Sequence, residues 1–589
     1  MNQRTTYVGL SRVAISIAFF LAPGCKEDDD DDGQAMGTTG SGGDTGDDDT
    51  GDTDPDPPGD SGSTEGGEAG TDESETGAET GVVVEPWVFD DIFGTANLDD
   101  DDGSGEDFLK YPYEGDDDIA TLVFTAAQLA ELAGDDTVRL VLEGDTEVIR
   151  LWSGETPIVG HSAESNTYEF SPSDEDIVFE VEFGDYNAAG TLVIYHLSDA
   201  GAVVRETSIV LRAAPLILNH HLQDIEQMWV VAVQDTGYSN ASMIATYQDM
   251  LGDRFTAVPG PTYGWDVWIQ DEVELAAMRG ENGQRLDVVI DSIRDRGLDP
   301  FAEDYLEGSD FAKGIWGTEG TQTSYDSFGN LEASPPVTVD GVEYPFGRVY
   351  YGRHNNVGLN STLANFLITQ EVQAPFELDT TWLCVGHVDE FSSFVPDATA
   401  PQGFRLVLAD VPAGIALLES LPGNFAIPRF GQDHGYATVD SMLNSASLMA
   451  LNEDIQADYV DVIREQFKSN LGLTDDEIIF LPSLWLNEPG CGAAALVPGM
   501  VNLIVAESDD ETTHIFSADP FFRPVPGSQD GDPFIDAFDA LMPEGLQMHY
   551  VDDWNVYHMA LGEVHCGTNA QRPPLEEWWN VAAHLLGGV

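Results

Sequence analysis

The chain has 589 residues, 107 of them acidic and 22 basic, for a formal net charge of -85. That length allows two or three domains with sizeable cores. The charge excludes a nucleic-acid partner, whose phosphates would be repelled, and leaves a solvated acidic tail, cation sites and attraction for cationic substrates as its uses.

At the start, Arg4 and Arg12 precede a short apolar run from Val13 to Leu21, interrupted by Ser16. It is too short to span a bilayer, which takes about 20 apolar residues, and reads as an export signal. It ends in Leu21-Ala22-Pro23-Gly24-Cys25, which resembles a bacterial lipobox with Ala22 where Leu is usual. Residues 1–25 are therefore expected to be a signal peptide with lipidation at Cys25, or a plain signal peptide. Residues 26–84 are Asp, Gly, Thr, Ser and Glu with almost no large apolar side chains. Such a segment cannot offset chain entropy by burial and is expected to be a disordered, self-repelling tether.

Folded sequence is expected from about 85 onward. Between 119 and 213, β-rich runs such as Thr137–Leu142, Ile177–Phe183 and Gly190–Tyr195 alternate with Gly, Asp, Ser and Asn turns. That spacing predicts a β-sandwich over 85–213. Residues 214–589 mix strands with helical stretches at Ala241–Leu251 and Ile455–Leu471. The class is α+β, with an α/β body at the C-terminal side.

Four clusters carry chemistry. In Trp268-Ile-Gln-Asp-Glu-Val-Glu274, strand alternation puts Gln270, Glu272 and Glu274 on one face and Asp271 on the other. Stacked oxygen side chains repel unless a hard cation joins them; a solvated edge strand is the bland alternative. Asp291-Ser-Ile-Arg-Asp295 follows an apolar run and sits at a strand end, where either cation ligands or a helix cap would fit. His387 and Asp389, on one face of a strand, could be an oriented acid/base pair or a satisfied core histidine. Gly562-Glu-Val-His-Cys-Gly-Thr-Asn569 places Cys566 in a glycine-flanked turn. Of Cys25, Cys384, Cys491 and Cys566, three remain if Cys25 is lipidated or removed, so at least one thiol is unpaired: a nucleophile or an inert buried group.

The stretches WIQDEVE (268–274), DSIRDRG (291–297), DSFGNLEASPPVTV (326–339), WLCVGHVDEFSSFVP (382–396), GMVNLIV (499–505) and GEVHCGTN (562–569) resemble, in order, the signatures of the calcium-dependent protein-arginine deiminases. The resemblance runs from about 90 to 580. It implies an Ig-like β-sandwich followed by a pentein-type α/β propeller over 214–589. It implies hydrolysis of peptidyl-arginine to peptidyl-citrulline, with Cys566 as nucleophile, His387 as general acid/base, and Asp271 and Asp389 bracketing the guanidinium. Trp268 would pack on the substrate side chain, and Arg296 would contact its backbone. One Ca2+ would take Gln270, Glu274, Glu332 and the carbonyls of Phe328 and Leu331. A second would take Glu272, Asp291, Asp295 and the Ser292 carbonyl. Asn97, Asp99, Asp101 and Asp118 resemble a further site.

This sequence departs from the family pattern in places. Asp295 replaces the usual Asn, Ala560 stands where a second substrate-contacting arginine is expected, and Cys384 stands where Ser is common. Cys384 is read as an inert core thiol, with a redox partner as the alternative. The expected partners are arginine-containing peptides or proteins, with membrane contact only through a lipid anchor. The expected location is outside a bacterial cell or tethered to its membrane. Two other readings stay open: a deiminase of a small guanidine such as free arginine or agmatine, and a calcium-stabilised surface binding protein with a decayed site.

Overall fold

The computed structural model describes residues 85–100, 106–109, 118–235, 238–355, 357–508, 511–572 and 577–587. The expected signal segment, the tether and Asp101 lie outside them.

The fold is α+β and rich in sheet. Two antiparallel-dominated sheets come first. One has the order Ile92–Gly94, Val203–Ala213, Ala189–Leu197, Thr137–Gly144, Thr167–Phe170; the other runs Ala120–Phe124, Ile177–Phe183, Ile149–Ser153, Thr156–Gly160. Period-2 patterning drives both. In Ala120–Phe124, residues 120, 122 and 124 are buried while Thr121 and Val123 are exposed. Val138, Leu140 and Leu142 on one sheet join Leu122, Phe179 and Val181 of the other in a single apolar core. The core does not stop at Ala213. It continues through Ile217, Leu218, Met278, Val288 and Phe328, so the sheet pair is welded to the elements that follow.

From Ile217 to Gln571 the described residues form five sheets of three or four strands and several hairpins. Three of these sheets position the site. Val273–Arg279 pairs antiparallel with Arg285–Asp291, which fixes Asp291 opposite Val273. Leu331–Ala333 pairs with Val349–His354, placing Glu332 opposite Tyr350. Thr568–Gln571 pairs antiparallel with Gln227–Ala232, so the turn containing Cys566 leads straight into a sheet. Among the described residues no helix is long and apolar enough to cross a membrane.

The helix Ala241–Leu251 matches its sequence expectation. The stretch expected as one helix over Ile455–Leu471 does not run as a single α-helix. A π-turn at Gln456–Val460 joins Ala446–Ile455 to Asp461–Leu471. The buried Gln456 side chain, at the start of that turn, accepts from the Val411 amide at 3.0 Å.

Two local expectations fail. Gln270, Asp271 and Glu272 are not strand residues: Ile269–Glu272 is one helical turn, and the strand begins at Val273. His387 and Asp389 are not on a strand either. His387 caps a short turn at Val388–Glu390, where the Glu390 carboxylate accepts from the His387 amide at 2.9 Å and the Gly386 amide at 3.1 Å. At Val388–Glu390 the Glu390 capping bonds hold the turn, and at Ile269–Glu272 the Gln270 amide donates to the Cys566 carbonyl at 3.3 Å; both outweigh the alternation that suggested a strand.

Candidate active site

The helical turn at Ile269–Glu272 sends three successive oxygen-bearing side chains in different directions, which a strand could not do. Gln270 turns to Glu274, with Nε2 donating to its carboxylate at 2.9 Å and to the Phe328 carbonyl at 3.4 Å. Asp271 turns to His387, whose Nδ1 lies 3.4 Å from its Oδ1. Glu272 turns to Arg294, at 3.5 Å.

Cys566 arrives from the far end of the chain. Its carbonyl accepts from the Gln270 amide at 3.3 Å, and Asn569 donates to the Val273 carbonyl at 2.7 Å, pinning the cysteine turn to the segment bearing Asp271. The glycines at either side serve close approach. A Cβ at Gly562 would stand 2.4 Å from the Trp268 ring, and one at Gly567 would stand 2.2 Å from Tyr557. Trp268 therefore lies over the cysteine turn, edge-on to Tyr557 with ring centroids 5.7 Å apart.

The Cys566 thiol is buried and lies 3.3 Å from Asp389 Oδ2 and 3.3 Å from Asn502 Nδ2. Asn502 also holds the turn itself, its Oδ1 accepting from the amides of His565 at 2.7 Å and Cys566 at 3.3 Å. Asp389 Oδ2 receives His565 Nδ1 at 3.0 Å as well. His387 Nε2 faces the Ser324 carbonyl at 2.9 Å. A carbonyl only accepts, so Nε2 carries a proton and Nδ1 is the nitrogen free to exchange one.

A small space at Gly329 brings these groups together. A Cβ there would sit 2.7 Å from His387 Nδ1, 3.1 Å from Asp389 Oδ2 and 3.2 Å from Asp271 Oδ1. Asp271 Oδ1 and Asp389 Oδ1 are buried with no hydrogen-bond partner among the described residues. Behind the thiol a cavity is lined by Glu390, Gly499, Asn502, His558, Glu563 and Cys566. Burial, then the charges of Asp389 and Asp271, push the Cys566 thiol well above its ordinary value. Burial alone would raise Asp389 too, but the His565 hydrogen bond and the charges of His565 and His387 bring its carboxyl below the usual range.

The residues expected to hold calcium divide into two groups in space. Glu274 and Glu332 are close enough for their charges to oppose each other, and Gln270 and the Phe328 carbonyl adjoin Glu274. Leu331 follows directly in the Leu331–Ala333 strand. In the second group, burial and the charge of Glu272 push Asp291 up to about 8, and burial pushes Glu272 up to about 7. The Ser292 amide donates to the Glu272 carbonyl at 2.8 Å, and exposed Asp295 takes a left-handed φ of 48°. Both oxygens of Glu272, Asp291 Oδ1 and Glu332 Oε1 are buried without hydrogen-bond partners. Clustered, orphaned carboxylate oxygens fit a hard divalent cation.

Around the further set, Asn97 donates to Glu182 at 2.8 Å, Asp99 accepts from the Asp310 amide at 2.9 Å, and Thr95 donates to Asp118. Arg296 is tied to Asp266, Nε to Oδ2 at 3.3 Å, with its side chain 48% exposed at the rim. Cys384 corrects its reading as a core thiol: it is disulfide-bonded to Cys491. The geometric reason is that the Cys384 amide and the Ala493 amide exchange strand-like bonds with Ala493 and Trp382, bringing the two segments side by side.

Sequence reasoning missed Arg294, Asn502 and His565. Arg294 is buried, 3.5 Å from both Asp271 and Glu272 and 3.9 Å from Asp266. All three lie inside the stretches singled out above, but an Asn, an Arg or a second His carries no periodicity to flag it.

Against this geometry the comparisons with known proteins are decisive. The sequence pattern described as Protein-arginine deiminase (PAD) matches residues 203–580. The chain belongs to the protein-arginine deiminase family. It is similar to protein-arginine deiminase type-4 of Rattus norvegicus, 35% identical over 396 residues, covering 64% of this chain and 58% of the relative. Type-4 of Homo sapiens is 34% identical over 402 residues, covering 64% and 57%, and human type-1 is 33% identical over 447 residues, covering 72% and 66%. The chain thus spans roughly three fifths of the length of these relatives, and the family pattern over 203–580 contains every residue of the cysteine site.

Proposed function

We propose that the chain hydrolyses peptidyl-arginine to peptidyl-citrulline and ammonia in a calcium-dependent reaction. The observation that carries this reading is the pair of buried carboxylates, Asp271 and Asp389, set around the thiol and imidazole, each with an Oδ1 that accepts no hydrogen bond among the described residues. Two such carboxylates match a planar cation with several fixed N–H donors, and few other ligands. Trp268 covers the aliphatic stem.

With the guanidinium bound beside it, the Cys566 thiol gives up its proton to water and the sulfur attacks the guanidinium carbon, forming a C–S bond. The C–N bond to one terminal nitrogen breaks, and that nitrogen leaves as ammonia with a proton from His387 Nδ1. His387, now neutral, takes a proton from water; the hydroxide adds to the same carbon, the C–S bond breaks, and the thiol is restored. Asn502 and His565 orient Cys566 and Asp389 throughout. Calcium in the two carboxylate groups would supply the positive charge that lets Glu272, Glu274, Asp291 and Glu332 ionise together. It would fix the turn on which Asp271 rides. Gln270, the Phe328 and Leu331 carbonyls, Ser292 and Asp295 would complete those sets.

We read residues 85–213 as the sandwich-like domain and 214–589 as the catalytic propeller, a reading supported by the five small sheets after Ile217. The Cys384–Cys491 disulfide supports export to an oxidising compartment. Arg296 at the rim supports peptide over free arginine.

The test is citrulline formation from a blocked arginine amide with excess calcium, with chelator, and with Cys566→Ala. Product that needs both calcium and the thiol is expected. Turnover confined to free arginine or agmatine would replace the peptide reading, and no turnover of any guanidine by the folded, calcium-loaded chain would end it.

A further inference from the structure

Next in sequence to Cys566, His565 joins a second imidazole and a carboxylate in a buried cluster. The nearest ligand atoms of His221, Glu332 and His565 all lie within 4.8 Å of one another, and all three side chains are buried. His221 Nε2 is 2.7 Å from Glu332 Oε2, and His565 Nε2 is 3.7 Å from Glu332 Oε1. Glu332 Oε1 has no hydrogen-bond partner among the described residues.

We propose that His221, Glu332 and His565 form a binding site for a borderline divalent transition metal of the zinc class, and that this metal and calcium exclude each other at Glu332. The second clause rests on the calcium reading above; the first does not.

The donor set decides the metal class. Two imidazole nitrogens and one carboxylate suit zinc, whereas calcium takes oxygen ligands. The outer contacts are those that a metal-binding histidine requires. His565 turns its Nδ1 to the Asp389 carboxylate at 3.0 Å, and His221 turns its Nδ1 to the Ser393 hydroxyl at 3.1 Å. Each ring is thereby held with Nε2 toward Glu332, as in carboxylate–histidine–metal relays. Zinc–ligand bonds of about 2.1 Å put tetrahedral ligand atoms about 3.4 Å apart, so small side-chain rotations close the present set around an ion. A water would take the fourth position.

The consequence follows from the shared residue. Both Glu332 oxygens face the imidazoles, Oε2 toward His221 and Oε1 toward His565, so an ion that engages the carboxylate there leaves no free oxygen turned to the Gln270–Glu274 group. Zinc would hold Glu332 on the histidine side and leave the calcium group short of a carboxylate. It would also fix His565, and through it Asp389, in one orientation.

Zinc binding is to be measured on the full chain, stripped of metal, by competition with a chromogenic chelator, with and without calcium. The unsubstituted chain, His221→Ala, His221→Gln and Cys566→Ala are compared, with thermal unfolding to confirm that each is folded. One site weakened about tenfold or more by both His221 substitutions and unchanged in Cys566→Ala is expected. X-ray absorption at the zinc edge should show nitrogen and oxygen neighbours only. Absence of a stoichiometric site, indifference to His221, loss with Cys566→Ala, or sulfur in the coordination shell would each overturn the proposal. Rising calcium should raise the apparent zinc Kd. Zinc binding that depends on His221 but ignores calcium would keep the zinc site and overturn the calcium assignment of Glu332 instead.

Discussion

Cys566, the proposed nucleophile, is held as a neutral thiol in the resting site. Burial and the charges of Asp389, Asp271 and Glu390 favour the neutral thiol and outweigh the backbone hydrogen bond at Glu563; a bound cation would work the other way. The reactive thiolate accumulates only as pH climbs past a raised value. Alkylation of the free chain by iodoacetamide should therefore be slow at neutral pH and still accelerating at about pH 9. A rate that levels off below about pH 8 would show a thiolate already formed and contradict this environment. Asn502 touches no expected substrate atom but bonds the thiol and two amides of its turn. Asn502→Ala is expected to lower kcat about 10- to 100-fold, with a much smaller change in KM, because the sulfur loses its aim. An equal loss in Asn502→Asp would separate charge from geometry, since the Asp side chain can still accept from both amides. The glycine-flanked turn marked Cys566 as a candidate, and the family resemblance implied its role. Asn502 was not marked, because an asparagine in an apolar strand-like run looks like any polar interruption.

At the level of elements, the short turns matter more than the long strands. The one-turn helix at Ile269–Glu272 sends Gln270 and Glu272 to different partners, where a strand would have put them on one face. The capped turn after His387 aims Nδ1 at the shared space instead of along a sheet face. Sequence periodicity placed both segments as strands because four residues are too few to show a helical period. Strands of the first two sheets were legible for the opposite reason: in Ala120–Phe124 and in Thr137–Leu142 every second residue is buried, a run long enough to show its period. The Phe328–Asn330 turn supplies the empty space that the catalytic groups share, and Gly329 keeps it empty. Gly329→Ala should cut kcat/KM by at least about 100-fold through a displaced imidazole or a blocked guanidinium, with near-normal thermal stability. Retained activity in a folded variant would mean that substrate does not enter there.

For the whole molecule, the largest electrostatic cost lies in the carboxylates buried together. Glu272 is pushed up to about 7 and Asp291 to about 8. The unfolded chain releases those protons near pH 4 to 4.5, as ordinary carboxyls do, well before the folded one. Across that interval the folded state binds more protons, so folding stability falls as pH rises from about 4.5 to about 8. Without calcium, Tm should therefore decline over this range, beyond the decline caused by general acidic repulsion. With calcium the carboxylates are neutralised by the ion, so the gain in Tm on adding calcium should be larger at pH 8 than at pH 5. A calcium effect on Tm that is the same at both pH values would remove these two groups from the binding set. The welded core from Val138 through Val288 was invisible in the sequence, which suggested a boundary near 213, because period-2 patterning reports which face is buried but not what covers it.

The Cys384–Cys491 bond and the Cys566 thiol also have to survive the same chemistry. A compartment oxidising enough to maintain the bridge would also convert an exposed thiolate to sulfenic acid or a mixed disulfide. The burial that keeps Cys566 protonated is then what lets it coexist with the bridge: oxidants and foreign disulfides react with the thiolate, and the resting site holds almost none. Reactivity toward the substrate and durability toward peroxide are thus set by one side chain's surroundings, and the chain becomes vulnerable mainly during turnover, when its sulfur is charged.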